Sequence, residues 1–104
     1  MGTGNRDGYT DSLDTLIVAL CADFERRSHG SPDRRVAMEF KYLNTRMTEG
    51  AAEIVGHRLA EQMIHEIGCR IGYASSMIED ISESTYKRKK QAVKRSIARK
   101  LYLM

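Results

Sequence analysis

Residues 64–83 read IHEIGCRIGYASSMIEDISE, and this stretch decides the fold that the sequence predicts. Two helices that cross closely need a small residue at the crossing, because a larger Cβ would push them apart. The first helix must then end in a left-handed turn, which glycine tolerates best. Gly68 and Gly72 have the spacing that these two roles require. The stretch therefore predicts a helix-turn-helix, with a short second helix over about 75–81.

Apolar residues occupy the positions of this motif that should be buried, and they are Ile67, Ile71, Tyr73, Ile78 and Ile81. A plain helical hairpin without a role in DNA binding is the alternative that the same pattern allows.

Upstream, apolar residues recur every three to four positions, which predicts further amphipathic helices. The first begins near Asp11, a good N-cap, and ends before Gly30, which can adopt the left-handed cap. Pro32 suits the first position of a second, long helix. Gly50 or Gly56 is expected to bend or break that helix before a third stretch begins. Without a break, one helix of about 40 residues would span roughly 60 Å and imply dimerisation.

The C-terminal helix, which Ser82 or Ser84 should cap, is strongly basic. Eight Lys and Arg residues follow Glu83 with no acidic residue among them, whereas the rest of the chain has nine basic and fourteen acidic residues. The eight cations are Lys87, Arg88, Lys89, Lys90, Lys94, Arg95, Arg99 and Lys100. This asymmetry indicates a polyanionic partner. A solvated helix face is the alternative, but such faces normally mix charges of both signs.

From about residue 64 to residue 101, the chain resembles helix-turn-helix proteins. The resemblance is strongest to the fourth region of bacterial sigma factors and to sigma-like regulators of phages and mobile elements. In those proteins the second helix of the motif enters the major groove. The resemblance assigns this role to Ser75, Ser76, Met77, Glu79, Asp80 and Ser82. The chain departs from the pattern because the segment is acidic and has no Arg or Lys for a bidentate contact to guanine. The groove-reading role is therefore expected to be lost or moved.

The basic helix supplies the cations that the acidic segment lacks, since Lys and Arg neutralise phosphates. The start of that helix also offers backbone N–H groups that suit a phosphate. The predicted nucleic-acid contacts are Ser75, Ser76, Ser84, Thr85, Lys87, Arg88, Lys94, Arg95, Arg99 and Lys100.

The sequence thus predicts an all-α protein, a small bundle of four to five helices that ends in a helix-turn-helix and a basic helix. Residues 1–10 are expected to form a flexible Gly-rich arm, and 11–104 a single domain. Within it, 11–63 would form the core or dimerisation part and 64–104 the motif with the basic helix. The function expected is that of a DNA-binding transcriptional regulator or sigma-like accessory protein. The alternative is a protein–protein interaction module that binds RNA polymerase or a second copy, without nucleic-acid binding.

Other classes of protein are not expected. The chain shows no apolar run of membrane-spanning length and no signal peptide, which favours the cytoplasm. Cys21 and Cys69 form no CxxC pair and are expected to be free thiols. His57, Glu61, His65 and Cys69 share one helical face, but they extend over too many turns to meet at one metal ion. No catalytic pattern or cofactor fingerprint is present, so neither an enzyme nor a small-molecule substrate is expected.

Overall fold

The structure, a computed structural model, describes residues 8–104. Over this range it contains five α-helices and no strand, so the predicted all-α bundle is confirmed. The helices are α1 (Asp11–Ala22), α2 (Phe24–Ser28), α3 (Arg34–Val55), α4 (His57–Gly68) and α5 (Glu83–Lys100). The Gly-rich arm predicted for residues 1–10 lies mostly outside the described residues. No helix within residues 8–104 has the combination of length and apolar character that crossing a bilayer demands.

Side-chain caps fix the starts of three helices close to where the sequence predicts them. Thr10 Oγ1 accepts a 3.1 Å hydrogen bond from the Leu13 N–H and caps α1, one residue before the predicted cap. Asp33 caps α3, which begins two residues later than predicted. Of the two serines proposed for the last helix, Ser82 is the cap, and its Oγ accepts from the Thr85 N–H at 3.2 Å. Each cap satisfies a backbone donor at a helix start that would otherwise lack a partner.

Glycines set both the break in the central helix and a close approach of that helix to α5. The chain leaves α3 at Gly56, whose φ of 85° is in the left-handed region, so a continuous helix of 40 residues is ruled out. Gly50 stays inside α3, where a Cβ would lie 3.0 Å from the Ile97 Cα of α5. Gly30 ends α2 with a φ of 81°, as predicted. The first predicted helix is two helices, because the chain breaks at Asp23 between α1 and α2.

The core lies between α1, α3, α4 and α5. Its largest fully buried apolar side chains are Ile17, Met47, Met63, Ile64, Ile67, Tyr86, Val93 and Ile97. Each buried side chain of this size stabilises the fold by about 1.5–3 kcal/mol relative to an exposed one. The basic helix α5 is thus a core helix along its inner side.

The second helix of the predicted helix-turn-helix is not formed. Residues 69–82 contain only a 3₁₀ turn, Tyr73–Ser75, as regular structure. Gly72 has a φ of −89°, and the left-handed residue that ends α4 is Arg70, with a φ of 56°. The Ile71 N–H then bonds back to the Glu66 carbonyl at 2.9 Å and closes the helix end. Gly68 does lie at a close crossing, but its neighbour is α1.

A buried carboxylate explains why residues 76–82 do not form a helix. Glu66 of α4 accepts hydrogen bonds from Ser76 Oγ at 2.7 Å and from the Met77 N–H at 2.8 Å. Ser76 Oγ also accepts from the Ile78 N–H at 2.9 Å. These bonds engage backbone and side-chain groups at the point where a helix would start, and such local bonds compete with helix formation. Asp80 then adopts a φ of 66°, which a helix does not allow.

Candidate nucleic-acid interface

Helix α5 has two sides of opposite character. Tyr86, Val93 and Ile97 face the core. Because each residue of an α-helix turns by about 100°, Arg88, Arg95 and Arg99 lie along one line on the opposite side, over about 16 Å. The exposed or half-buried residues Ser84, Lys87, Arg88, Gln91, Arg95 and Arg99 are here called the outer face.

Lys94 belongs to the structure of the bundle and is not available to a phosphate. Its side chain is buried, and Nζ lies 2.9 Å from Asp14 Oδ1 on α1. The Tyr9 hydroxyl donates to the same oxygen at 2.7 Å. Burial raises the pKa of Asp14, but the hydrogen bonds from Lys94 and Tyr9 outweigh burial and hold it below its ordinary value. Lys94, which the sequence predicts as a nucleic-acid contact, is thus engaged inside the bundle.

Two further cations of the basic segment also bind to the protein itself. Lys100 Nζ lies 2.6 Å from Glu53 Oε2, which joins the end of α5 to α3. Lys90 donates to the Ile71 carbonyl and lies over the Tyr86 ring, with Nζ 5.3 Å from the ring centroid. Burial lowers the pKa of Lys90. Lys100, a predicted contact, thus meets an acidic group of its own chain.

The hydroxyl residues predicted as contacts are divided by the structure. Ser75 and Ser84 are exposed. Ser76 is held by the buried carboxylate described above and is not at the surface that α5 presents. The Thr85 N–H is already bonded to Ser82 Oγ, so it cannot also donate to a phosphate. Of these four residues, Ser84 alone lies on the outer face.

Two arginines of the outer face, Arg88 and Arg99, remain for a ligand. The side chains of Arg88 and Arg99 are exposed and make no hydrogen bond or ion pair with residues 8–104. Lys87 pairs with Glu83 at 3.0 Å, but both side chains are more than half exposed, so the pair adds little stability. Arg95 is half-buried, with its guanidinium carbon 4.9 Å from the centre of the Tyr9 ring.

Glu66 of α4 is bonded to the inner side of α5. Its carboxylate is fully buried and accepts a 2.7 Å hydrogen bond from the Tyr86 hydroxyl, besides those from Ser76 and Met77. Gln62 donates a fourth bond at 2.8 Å. Burial raises the pKa of Glu66, but these four donors outweigh burial and hold it below its ordinary value. Burial and the nearby carboxylate raise the pKa of Tyr86 to about 12.

Sequence analysis did not single out Glu66. The available signal was its position, since it follows Met63 by three residues and therefore lies on the apolar side of α4. A carboxylate on an apolar helix face needs internal donors. Asp14 and Glu53 gave no comparable signal, because their lysine partners, Lys94 and Lys100, are distant along the chain.

The arrangement of the outer face suits the major groove of DNA. A helix with its side chains is about 10–12 Å wide, and the groove is about 12 Å wide. Arg88 can present two parallel donors to guanine, and the Gln91 amide can pair with adenine. Arg99, about three turns further along, can contact a phosphate.

No three His, Cys, Asp or Glu side chains within the described part of the chain are placed to hold one metal ion. No protein family, curated protein or solved structure matches the chain. The function is therefore inferred from the geometry and charge of residues 8–104.

Proposed function

We propose that the protein binds double-stranded DNA through the outer face of α5, with this helix lying in the major groove. The observation that carries the proposal is the row of arginines on the outward side of a helix that has no acidic residue after Glu83. Arg88 and Arg99 stand at its two ends, and both are exposed. The partner of such a row is a polyanion with regularly spaced charge.

In this proposal the DNA bases are contacted by the first half of α5 and not by residues 75–82. The earlier segment lacks a helix and is acidic, so it would be repelled by phosphates. The first three turns of α5 instead expose Ser84, Lys87, Arg88 and Gln91. These side chains offer the donors and acceptors that base edges in the major groove recognise.

A role in transcription regulation, of the kind found in phages and mobile elements, has only the sequence resemblance of residues 64–101 to sigma-like regulators behind it, and the second helix of that motif is not formed. In a bacterial cell, DNA binding would also place the protein in the cytoplasm. Binding of the protein to RNA polymerase is supported by the same resemblance alone.

Fluorescence anisotropy with labelled duplexes of about 25 base pairs tests the proposal, since a helix in the groove with its flanking contacts fits within such a length. We expect R88A/R99A to bind roughly tenfold more weakly or worse, because two phosphate or base contacts are lost. The matched control is K41A/R58A, which removes the same charge from exposed positions on α3 and α4. The control should stay within about twofold of the unmodified protein. Equal losses in both variants, or no binding at low salt, would overturn the proposal.

The alternative, a protein–protein interaction module, is favoured by a different surface. Met38 and Tyr42 of α3 are 71% and 62% exposed, and exposed apolar side chains of this size are typical of interaction sites. The two functions are separable, because Met38 and Tyr42 are not part of the outer face of α5.

A further inference from the structure

The first half of α3 is rich in apolar residues, and only some of them turn toward the bundle. Leu43 packs against the core and Val36, Ala37 and Phe40 are half-buried, whereas Met38 and Tyr42 are largely exposed. A helix on the surface of a bundle normally turns its apolar residues inward and its polar residues outward. Met38 and Tyr42 do the reverse, which indicates a surface that another molecule covers.

One helical face contains these residues together with charges at both ends. Positions separated by three, four or seven residues lie on the same side of a helix. Arg35, Met38, Tyr42 and Glu49 meet this condition, and they are here called the α3 face. Arg35 is exposed, and the Glu49 side chain is 45% exposed although it pairs with Arg46 at 3.3 Å.

An aromatic ring from the segment that follows α5 borders this face. The guanidinium carbon of Arg46 lies 5.7 Å from the centre of the Tyr102 ring, and Arg46 also donates to the Lys100 carbonyl at 3.0 Å. Tyr102 remains 80% exposed. The apolar area of the α3 face is therefore extended by a second ring beside Arg46.

The charges of the α3 face are complementary to those of a second copy in the antiparallel direction. Arg35 precedes Tyr42 by seven residues and Glu49 follows it by seven. A two-fold axis through Tyr42 therefore places Arg35 of each copy opposite Glu49 of the other, about 10 Å from the axis on either side. A parallel pair would place like charges side by side.

We propose that the protein forms a homodimer through the α3 face, with the two α3 helices antiparallel about a two-fold axis at Tyr42. The same axis places Met38 of each copy opposite Arg46 of the other, since these residues precede and follow Tyr42 by four. Met38 thereby meets the neighbourhood of the Tyr102 ring, and thioether–aromatic contacts are favourable. A second copy is the occupant because this one operation brings Arg35 and Glu49, which have opposite charges, together on both sides and makes the two Tyr42 rings meet at the axis.

Charge-reversal variants test this pairing. The dimer is measured by sedimentation velocity over a roughly hundredfold range of protein concentration. We expect the unmodified protein to show a concentration-dependent dimer, and R35E or E49R to weaken it roughly tenfold, because each places like charges across the axis. The double variant R35E/E49R should restore dimerisation, since both inter-copy pairs again join opposite charges. R58E, on an exposed part of α4, is the matched control and should dimerise normally.

A protein that is monomeric at every concentration would overturn the proposal, and so would a double variant that dimerises no better than the weaker single variant. Thermal melts of each variant show that the fold is intact. The result is independent of DNA binding, because the exchanged residues lie outside the outer face of α5.

Discussion

The hydroxyl of Tyr86 on α5 donates a 2.7 Å hydrogen bond to the Glu66 carboxylate of α4, in a part of the core closed to solvent. The same carboxylate holds the segment between the two helices through Ser76 and Met77. The direction in which α5 presents its arginines thus depends on one buried charge as well as on apolar packing. Buried polar groups that are fully bonded in this way restrict a core to one arrangement.

Replacing Glu66 by Gln should destabilise the fold by about 2–4 kcal/mol. Gln keeps the size of the side chain. Its NH₂ group, however, would face hydrogen-bond donors whose bonds the carboxylate now accepts. Urea denaturation measures the effect. E61Q is the control, because Glu61 is an exposed residue of α4, and its change should stay within about 0.5 kcal/mol. Equal stability of E66Q and E61Q would contradict the role given to Glu66.

Lowering the pH should remove the contribution of Glu66 to the unfolding free energy. Its pKa is held below the ordinary value in the folded protein, so the stabilisation is complete above the unfolded-state pKa, near pH 4.3, and is lost as pH falls through the folded-state pKa. The difference in unfolding free energy between the unmodified protein and E66Q should therefore shrink below about pH 4. The interactions of the Asp14 and Glu53 carboxylates also weaken in acid, but they are present in both the unmodified protein and E66Q. A difference that stays constant with pH would show that the charge of Glu66 is not the cause.

Replacing Gly68 or Gly72 by Ala should have different effects on the stability of the fold. A Cβ on Gly68 would lie 2.5 Å from the Ala22 backbone nitrogen, so G68A should destabilise the fold by about 3 kcal/mol. Gly72 has an ordinary φ and open space around it, so G72A should be neutral or stabilising by up to about 1 kcal/mol. Thermal or urea denaturation separates the two outcomes. A strongly destabilised G72A would instead indicate the left-handed turn of a helix-turn-helix.

Local signals in the sequence were sufficient for most of the helices. The apolar spacing, Ser82, Gly30 and Gly56 all act within a few residues of where they stand, and the structure confirms them. The close approach at Gly68 was also predicted, but its partner is α1, which spacing within one stretch does not reveal.

The candidate site was predicted less well, because its residues depend on contacts between distant parts of the chain. Lys94 looks like its neighbours in the basic run until Asp14, eighty residues earlier, is placed beside it. The segment 75–82 has a helical apolar pattern, and tertiary bonds to Glu66 override that pattern. Charge density predicted a cationic helix correctly, whereas the division into inward and outward cations required the fold.

Alanine variants of the inward and outward cations should therefore differ in their effects on stability and on DNA affinity. K94A should lower the unfolding free energy by about 1–2 kcal/mol, since it leaves a partly exposed Asp14 without its ion pair. Its DNA affinity, measured well below the melting temperature, should stay within about twofold. R88A should do the opposite, with stability changed by less than about 0.5 kcal/mol and affinity reduced. Similar profiles for the two variants would contradict the division.

The central claim is that the outer face of α5 meets DNA, and an NMR titration of the ¹⁵N-labelled protein with a short duplex tests it most directly. Amide resonances should shift or broaden most at Ser84, Lys87, Arg88, Gln91 and Arg99. Changes concentrated in residues 75–82 or on α3, with α5 unaffected, would contradict the account.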